Sequence, residues 1–195
     1  MGLDFDWADG QTPLDEEEKE GLLIPTITTR GELDEFEQRN IEKAIQWSLM
    51  RRVSKEEILT EKFVKLVHEK MYDGVWAWAG EFRKANKNIG VDWRQVSAMP
   101  HVLLGDCRYW IDHDSYPPDE IAVLFKHRLV SIHCFSNGNG RHSRMMGDLL
   151  VEKIFNQPVF TWGAQIDLIK SGDTGRKIMK IIQLNKIPLR LAFFE

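Results

Sequence analysis

Between Pro117 and Pro158 two apolar helical stripes flank one polar, glycine-broken interruption, which commits the centre of the chain to a helix–loop–helix. Pro117-Pro118-Asp119 suits a helix start, because proline's fixed φ and missing N–H are harmless in a first turn. Ile121, Leu124, Phe125, Leu129 and Ile132 then recur at helical spacing. On the far side Met145, Leu149, Leu150 and Ile154 predict a helix over about 141–156, which Pro158 ends. The interruption reads His133-Cys134-Phe135-Ser136-Asn137-Gly138-Asn139-Gly140, and Arg141 and Arg144 open the next helix.

These residue types suit a phosphate chain held beside a general base. Glycines let a backbone turn with positive φ and approach a ligand closely. Amides at the start of a helix favour an anion. Arg141 and Arg144, three apart, share a helix face, and guanidinium forks grip phosphate oxygens in pairs. An imidazole such as His133 titrates near neutral pH and can take a proton there.

Other chemistries fit the residues less well. His127, His133, Cys134 and His142 match no usual zinc spacing. Cys134 and His133 are chain neighbours, a poor geometry for an activated thiol, so Cys134 reads as a small buried filler. The basic run from Lys84 to Arg94 contains Trp93 and could suit nucleic acid, but a flap meeting a protein explains it equally.

The rest of the chain is also mostly helical in pattern. Leu33, Phe36, Ile41, Ala44, Ile45 and Leu49 predict a helix over about 32–51. Ser54 with Glu57 forms a capping box for a helix carrying Ile58, Leu59, Phe63, Leu66 and Val67. Residues 81–98 lack a helical stripe and read as a short hairpin or an irregular flap. Pro100 can start a helix with Val102, Leu103, Cys107 and Trp110 inward, and a last helix is expected over 175–186. Trp47, Trp76, Trp78, Trp110 and Trp162 are expected to fill core or interface positions. Residues 1–31 form an acidic lead with one helical stretch, Leu14 to Leu22, and residues 32–195 form the main domain. A formal charge of −4 over 195 residues gives no general attraction for nucleic acid or an anionic membrane. No apolar run has the length of a membrane span, no signal peptide is evident, and two cysteines make no disulfide framework, so a cytoplasmic protein is expected.

The central run resembles the signature of Fic proteins, H-x-F-x-[D/E]-G-N-G-R-x-x-R. His133, Phe135, Gly138, Asn139, Gly140, Arg141 and Arg144 match it, and Asn137 stands where the family has an acidic residue. Within the family the chain resembles most the branch called mobile mystery protein B, over nearly its whole length. The resemblance implies a mainly α, Fic-type helical bundle with a β-hairpin flap after Trp78-Ala79-Gly80-Glu81-Phe82-Arg83. It implies a protein adenylyltransferase, with AMP passing from ATP and Mg²⁺ to a Ser, Thr or Tyr hydroxyl of a target protein. His133 would be the base, and Phe135 the loop anchor. Gly138, Asn139, Gly140, Arg141 and Arg144 would hold the phosphates. Asn88, Ile89, Gly90 and Val91 in the flap would dock the target by strand-like pairing.

Asn137 leaves the metal open, because a neutral amide is a weaker ligand for Mg²⁺ than a carboxylate. A different donor (UMP, phosphate or phosphocholine) and a non-catalytic nucleotide-binding module remain alternatives. The branch also implies a small helix-turn-helix partner in a toxin–antitoxin-like pair. Many Fic proteins carry an inhibitory helix, [S/T]-x-x-x-E-[G/N], whose glutamate pairs with the second motif arginine. Glu20-Gly21 matches its end, although Glu16 stands where Ser or Thr is expected. A solvated acidic helix face is the competing reading of Asp15 to Glu20.

Overall fold

The structure is a computed structural model that describes residues 20–162. Six α-helices occur among them: α1 Arg30–Met50, α2 Lys55–Ile58, α3 Glu61–Tyr72, α4 Met99–Asp112, α5 Pro118–Ile132 and α6 Asn139–Leu149. The protein is mainly helical, as expected. The described chain falls into two compact units. One joins the residues up to Arg51 with Lys65–Glu81, and the other joins Arg52–Val64 with the residues from Phe82 on.

In the first unit α1 begins two residues before the expected start, because Thr29 and Glu32 form a reciprocal capping box. The Glu32 amide donates to Thr29 Oγ1 at 3.3 Å, and Glu32 Oε2 accepts from the Thr29 and Thr28 amides at 3.1 and 2.8 Å. These backbone donors hold the Glu32 carboxyl below the usual range. Leu33 and Ala44 are buried, whereas Phe36, Ile45 and Leu49 are exposed, so only part of the apolar stripe faces the core. The end of the stretch expected as a helix, Glu20–Leu22, is a turn leading into an antiparallel bridge between Leu22 and Trp76. Residues 14–19 of that stretch and the helix expected over 175–186 lie outside the described residues. Trp76 is buried, and its indole N–H donates to the buried Glu37 carboxylate at 2.7 Å. Trp47 and Trp78 are half-buried.

The second unit is built around α5. This helix packs on α4 and on α6, and both α5 and α2 touch the π-helical turn Leu150–Ile154 that extends α6. All five α5 residues expected inward are buried, as are Leu103, Cys107 and Trp110 on α4. Val102, also expected inward on α4, is 57% exposed. The single helix expected after Ser54 is broken in two. The Ser54 hydroxyl accepts the Glu57 amide as expected, but α2 stops at Ile58, and Thr60 Oγ1 then accepts the Phe63 amide at 3.1 Å to restart the chain as α3. A second cap a few residues after the first is what splits the stripe.

Residues 82–98 take the irregular form rather than the hairpin. They run through bends to a 3₁₀ turn, Trp93–Gln95, capped by the Asp92 carboxylate on the Arg94 amide at 2.9 Å.

Replacing Thr29 with Ala removes one half of the α1 cap and releases the other. Stability should fall by about 1 kcal/mol, read as a lower urea midpoint with unchanged slope. An unchanged midpoint would mean that the cap contributes nothing.

Candidate functional site

The loop between α5 and α6 starts with a strained residue. His133 caps α5 in the left-handed region, φ 57° and ψ 62°, while its amide still donates to Leu129 O at 3.3 Å. For a residue with a Cβ this conformation costs roughly 1–2 kcal/mol. The left-handed turn ends α5 and starts the loop.

Arg83 holds that turn. Its guanidinium is buried, and Nε donates to the His133 carbonyl at 2.6 Å. Nη1 donates to Ala85 O at 2.8 Å, and Nη2 donates to Val91 O. Its backbone amide donates to Cys134 O at 2.9 Å. One side chain thus ties the turn to both ends of the flap.

The flap also touches the turn directly. The Val91 amide donates to Ile132 O at 3.3 Å. Gly90 has φ +99°, and a Cβ there would lie 2.5 Å from His133 Cβ and 3.0 Å from Ile132 O. Only a glycine combines that φ with that approach. Asn88 and Ile89, just before it, are exposed.

Asn139 shapes the other half of the loop. Its buried side chain accepts the Phe135 amide at 2.9 Å and donates to the Phe135 carbonyl at 2.9 Å. Asn139 was expected among the phosphate ligands. Its amide group is committed to the loop, so only its backbone N–H, in the first turn of α6, points to such a role. Phe135 is fully buried, with its ring at 5.4 Å from Phe82 and 4.9 Å from His142. The anchor expected at Phe135 is therefore real packing, and Asn139 is its backbone clamp.

Gly138 takes φ 72° to cap α6, and its carbonyl accepts the His142 amide at 2.9 Å. Gly140 follows in the first turn, and its carbonyl accepts from Ser143 Oγ at 2.9 Å. Arg141 and Arg144 are half-buried on α6. Asn137 is exposed, and its Oδ1 accepts the Gly138 amide at 2.7 Å. The oxygen that would meet a metal is therefore already a hydrogen-bond acceptor. Among the described residues no three His, Cys, Asp or Glu side chains gather as a metal site. Among the described residues the loop would offer Mg²⁺ the neutral Asn137 side-chain oxygen, which suits a metal that arrives as part of a metal–nucleotide complex.

Three groups are core elements. His142 is buried and its Nε2 lies 2.9 Å from Val64 O, so that nitrogen carries the proton and donates. Burial pushes its pKa down to about 4 and keeps it neutral. Burial pushes the Cys107 thiol up to about 12. Cys134 is buried and forms no disulfide among the described residues. In the other unit Glu20 is exposed, and its carbonyl accepts from the Trp78 indole at 3.4 Å.

Arg83 and the clamping role of Asn139 are not apparent from the sequence pattern. The signal for Arg83 is a lone arginine just after an aromatic, glycine-containing run, which does not say which carbonyls will need a donor.

Residues 58–151 match the model of the Fic/DOC family. They are a Fic/DOC family domain. The chain is similar to a curated protein of Aedes aegypti named protein adenylyltransferase Fic, 25% identical over 123 residues. That match spans 61% of this chain and only 25% of the relative. Among solved structures the N-terminal Fic domain of a Bartonella effector protein, from Bartonella sp. AR 15-3, is similar with a TM-score of 0.62 and 14% identity, over 97% of this chain and 96% of that one. BepC of Bartonella tribocorum, solved with bound AMPPNP, is similar with a TM-score of 0.55 and 16% identity, over 90% and 86%. These likenesses establish the Fic fold for a chain whose central loop already carries the family's signature.

Two measurements test the site's construction. Gly90→Ala should cost about 1–3 kcal/mol more in urea denaturation than Gly74→Ala. Gly74 has a similar positive φ of +78° but open space around it. Equal costs would mean that the flap does not rest on His133.

The second measurement concerns His142. Its folded pKa lies below the ordinary 6.5, so the unfolded chain binds the proton more readily. Stability should be full above pH 6.5 and fall as the pH drops towards about 4, by on the order of 3 kcal/mol in all. His142→Asn should flatten that slope, and a slope unchanged in the variant would remove His142 as its source.

Proposed function

We propose that this Fic domain is a protein adenylyltransferase, moving AMP from ATP to a hydroxyl side chain of a target protein. The observation that carries the reading is the turn at His133. An imidazole is held in a strained backbone conformation, under a flap and ahead of a glycine-capped helix bearing Arg141 and Arg144. Strain of this kind persists only where the surroundings impose it, and here Arg83 and Gly90 do so. The name of the mosquito relative and the nucleotide in the BepC structure support the same reading.

In this mechanism the target hydroxyl gives its proton to the His133 imidazole as its oxygen attacks the α-phosphorus. The bond from that phosphorus to the bridging oxygen breaks, and pyrophosphate leaves with the electron pair. Amides of Asn139 and Gly140 and the guanidinium groups of Arg141 and Arg144 receive the charge on the phosphates, and Gly138 shapes the cradle through its positive φ. Asn137 would hold a Mg²⁺ ion brought by ATP, which would supply charge neutralisation on the phosphates. Asn88, Ile89, Gly90 and Val91 align the target segment. Glu20 restrains the enzyme at rest.

Incubation with ATP labelled at the α or the γ position separates the readings. Label should reach protein from the α position only, vanish in His133→Ala, and rise in Glu20→Gly. Transfer from the γ position would make the domain a kinase-like transferase, and tight binding without transfer would make it a nucleotide-binding module. Unchanged α transfer in His133→Ala would remove the base, and unchanged transfer in Glu20→Gly would remove the restraint.

A further inference from the structure

Arg83 is 4% exposed, and among the described residues no carboxylate pairs with it. A buried cation without a counter-ion is costly unless hydrogen bonds compensate it. Here the compensation is a set of carbonyls from two places. His133 O, at 2.6 Å, belongs to the turn that carries the imidazole, and Ala85 O, at 2.8 Å, and Val91 O belong to the flap. A staple that had only to close a turn could be neutral, as Asn139 is on the other side of the loop. The fork differs in serving the turn and the flap at once.

Between Ala85 and Val91 the chain makes an exposed loop, residues 86–90, and Asn86 Oδ1 accepts the Trp93 amide at 2.9 Å to close it. At the inner end of this loop Gly90 rests on both members of the contact. A Cβ there would stand 2.5 Å from His133 Cβ and 3.1 Å from Arg83 Nη2. A guanidinium is rigid and planar, so its donors keep fixed mutual positions. A shift of the flap therefore carries the guanidinium with it, and the guanidinium carries the His133 carbonyl. A left-handed residue with a Cβ keeps that conformation only under such a constraint.

We propose that Arg83 is a positioning residue for transfer, coupling the seating of a target segment on the flap to the placement of His133. This rests on the transferase reading of the site. A target held along the flap fixes the carbonyls of Ala85 and Val91, the fork passes that order to the turn, and the base is set when its substrate is. The shape of the fork matters more than its charge. A lysine keeps the cation, but one nitrogen cannot span three carbonyls held apart.

The test compares Arg83→Lys and Arg83→Gln with the parent, all in the Glu20→Gly background, for α-label transfer from ATP to protein and for calorimetric ATP affinity. In both variants the maximal transfer rate should fall about a hundredfold, with ATP affinity kept within about twofold. Carbon-13 histidine NMR, with His133 assigned through His133→Ala, reads the turn directly. The His133 Cα shift should leave its left-handed value in both variants, while the other histidines, His142 included, keep theirs. Transfer preserved in Arg83→Lys, a loss confined to ATP affinity, or an unmoved His133 signal would overturn the proposal. Where a variant fails to fold, amide exchange in the parent decides. The amides of Arg83, Val91 and His133, bonded to the carbonyls of Cys134, Ile132 and Leu129, should open together with one dependence on denaturant. Val91 exchanging well ahead of the other two would overturn the coupling. No α-label transfer in any of the proteins, with a His133 shift that still depends on Arg83, would overturn the transferase reading and leave the coupling standing.

Discussion

The Arg83 guanidinium is the contact on which the site's geometry depends. A left-handed residue at the end of α5 leaves a carbonyl that no helix bond satisfies, and burial makes that carbonyl costly. Arg83 donates to it and, through its other nitrogens, to Ala85 and Val91. The charge is delocalised over a planar fork of donors, so one residue can serve several acceptors held at fixed angles. A lysine could reach one of these carbonyls but could not span the set. The strain at His133 and the path of the flap are therefore two consequences of one buried cation.

The second half of the loop is ordered by neutral groups. Asn139 closes both backbone bonds of Phe135, Phe135 packs edge-on against His142, and His142 donates to Val64 O. This chain runs from the loop to the start of α3 without a formal charge, because burial keeps His142 neutral near pH 7. Cationic groups are left to the side where α6 begins. Such a separation lets this half of the loop keep its shape while a highly charged ligand comes and goes, since the contacts of Asn139, Phe135 and His142 depend on no charge that the ligand would screen.

Much of this was legible in the sequence. The α5 stripe, the Pro118 start, the loop and the α6 stripe are local patterns, and they appear where periodicity put them. The Fic signature marks the loop as the candidate site. What stayed hidden involves partners distant in sequence. Nothing local says that Arg83 will meet the carbonyl of His133, fifty residues on. Asn139 lies inside the motif, and a motif does not distinguish a side chain that touches a ligand from one that builds the loop. The Thr29–Glu32 box is readable but straddles the boundary expected between the acidic lead and the first helix. On α1, periodicity gave the helix but not the burial of Phe36, Ile45 and Leu49, because a stripe says which residues share a face and not how much of that face is covered.

The flap departs from the hairpin expectation for a related reason. In a hairpin the carbonyls of Ala85 and Val91 would be available to amides of the opposite strand. Here both accept from Arg83, and the Val91 amide turns away to Ile132. The inner edge of the segment is thus satisfied by the site it covers, and cross-strand pairing loses its partners. Asn88 and Ile89 stay exposed at the outer edge, next to the glycine that rests on His133. Under the proposed reading this is a useful compromise. A segment stapled on its inner side by an arginine leaves its outer edge exposed to another chain, whereas a closed hairpin would already have used part of its hydrogen-bonding capacity on itself.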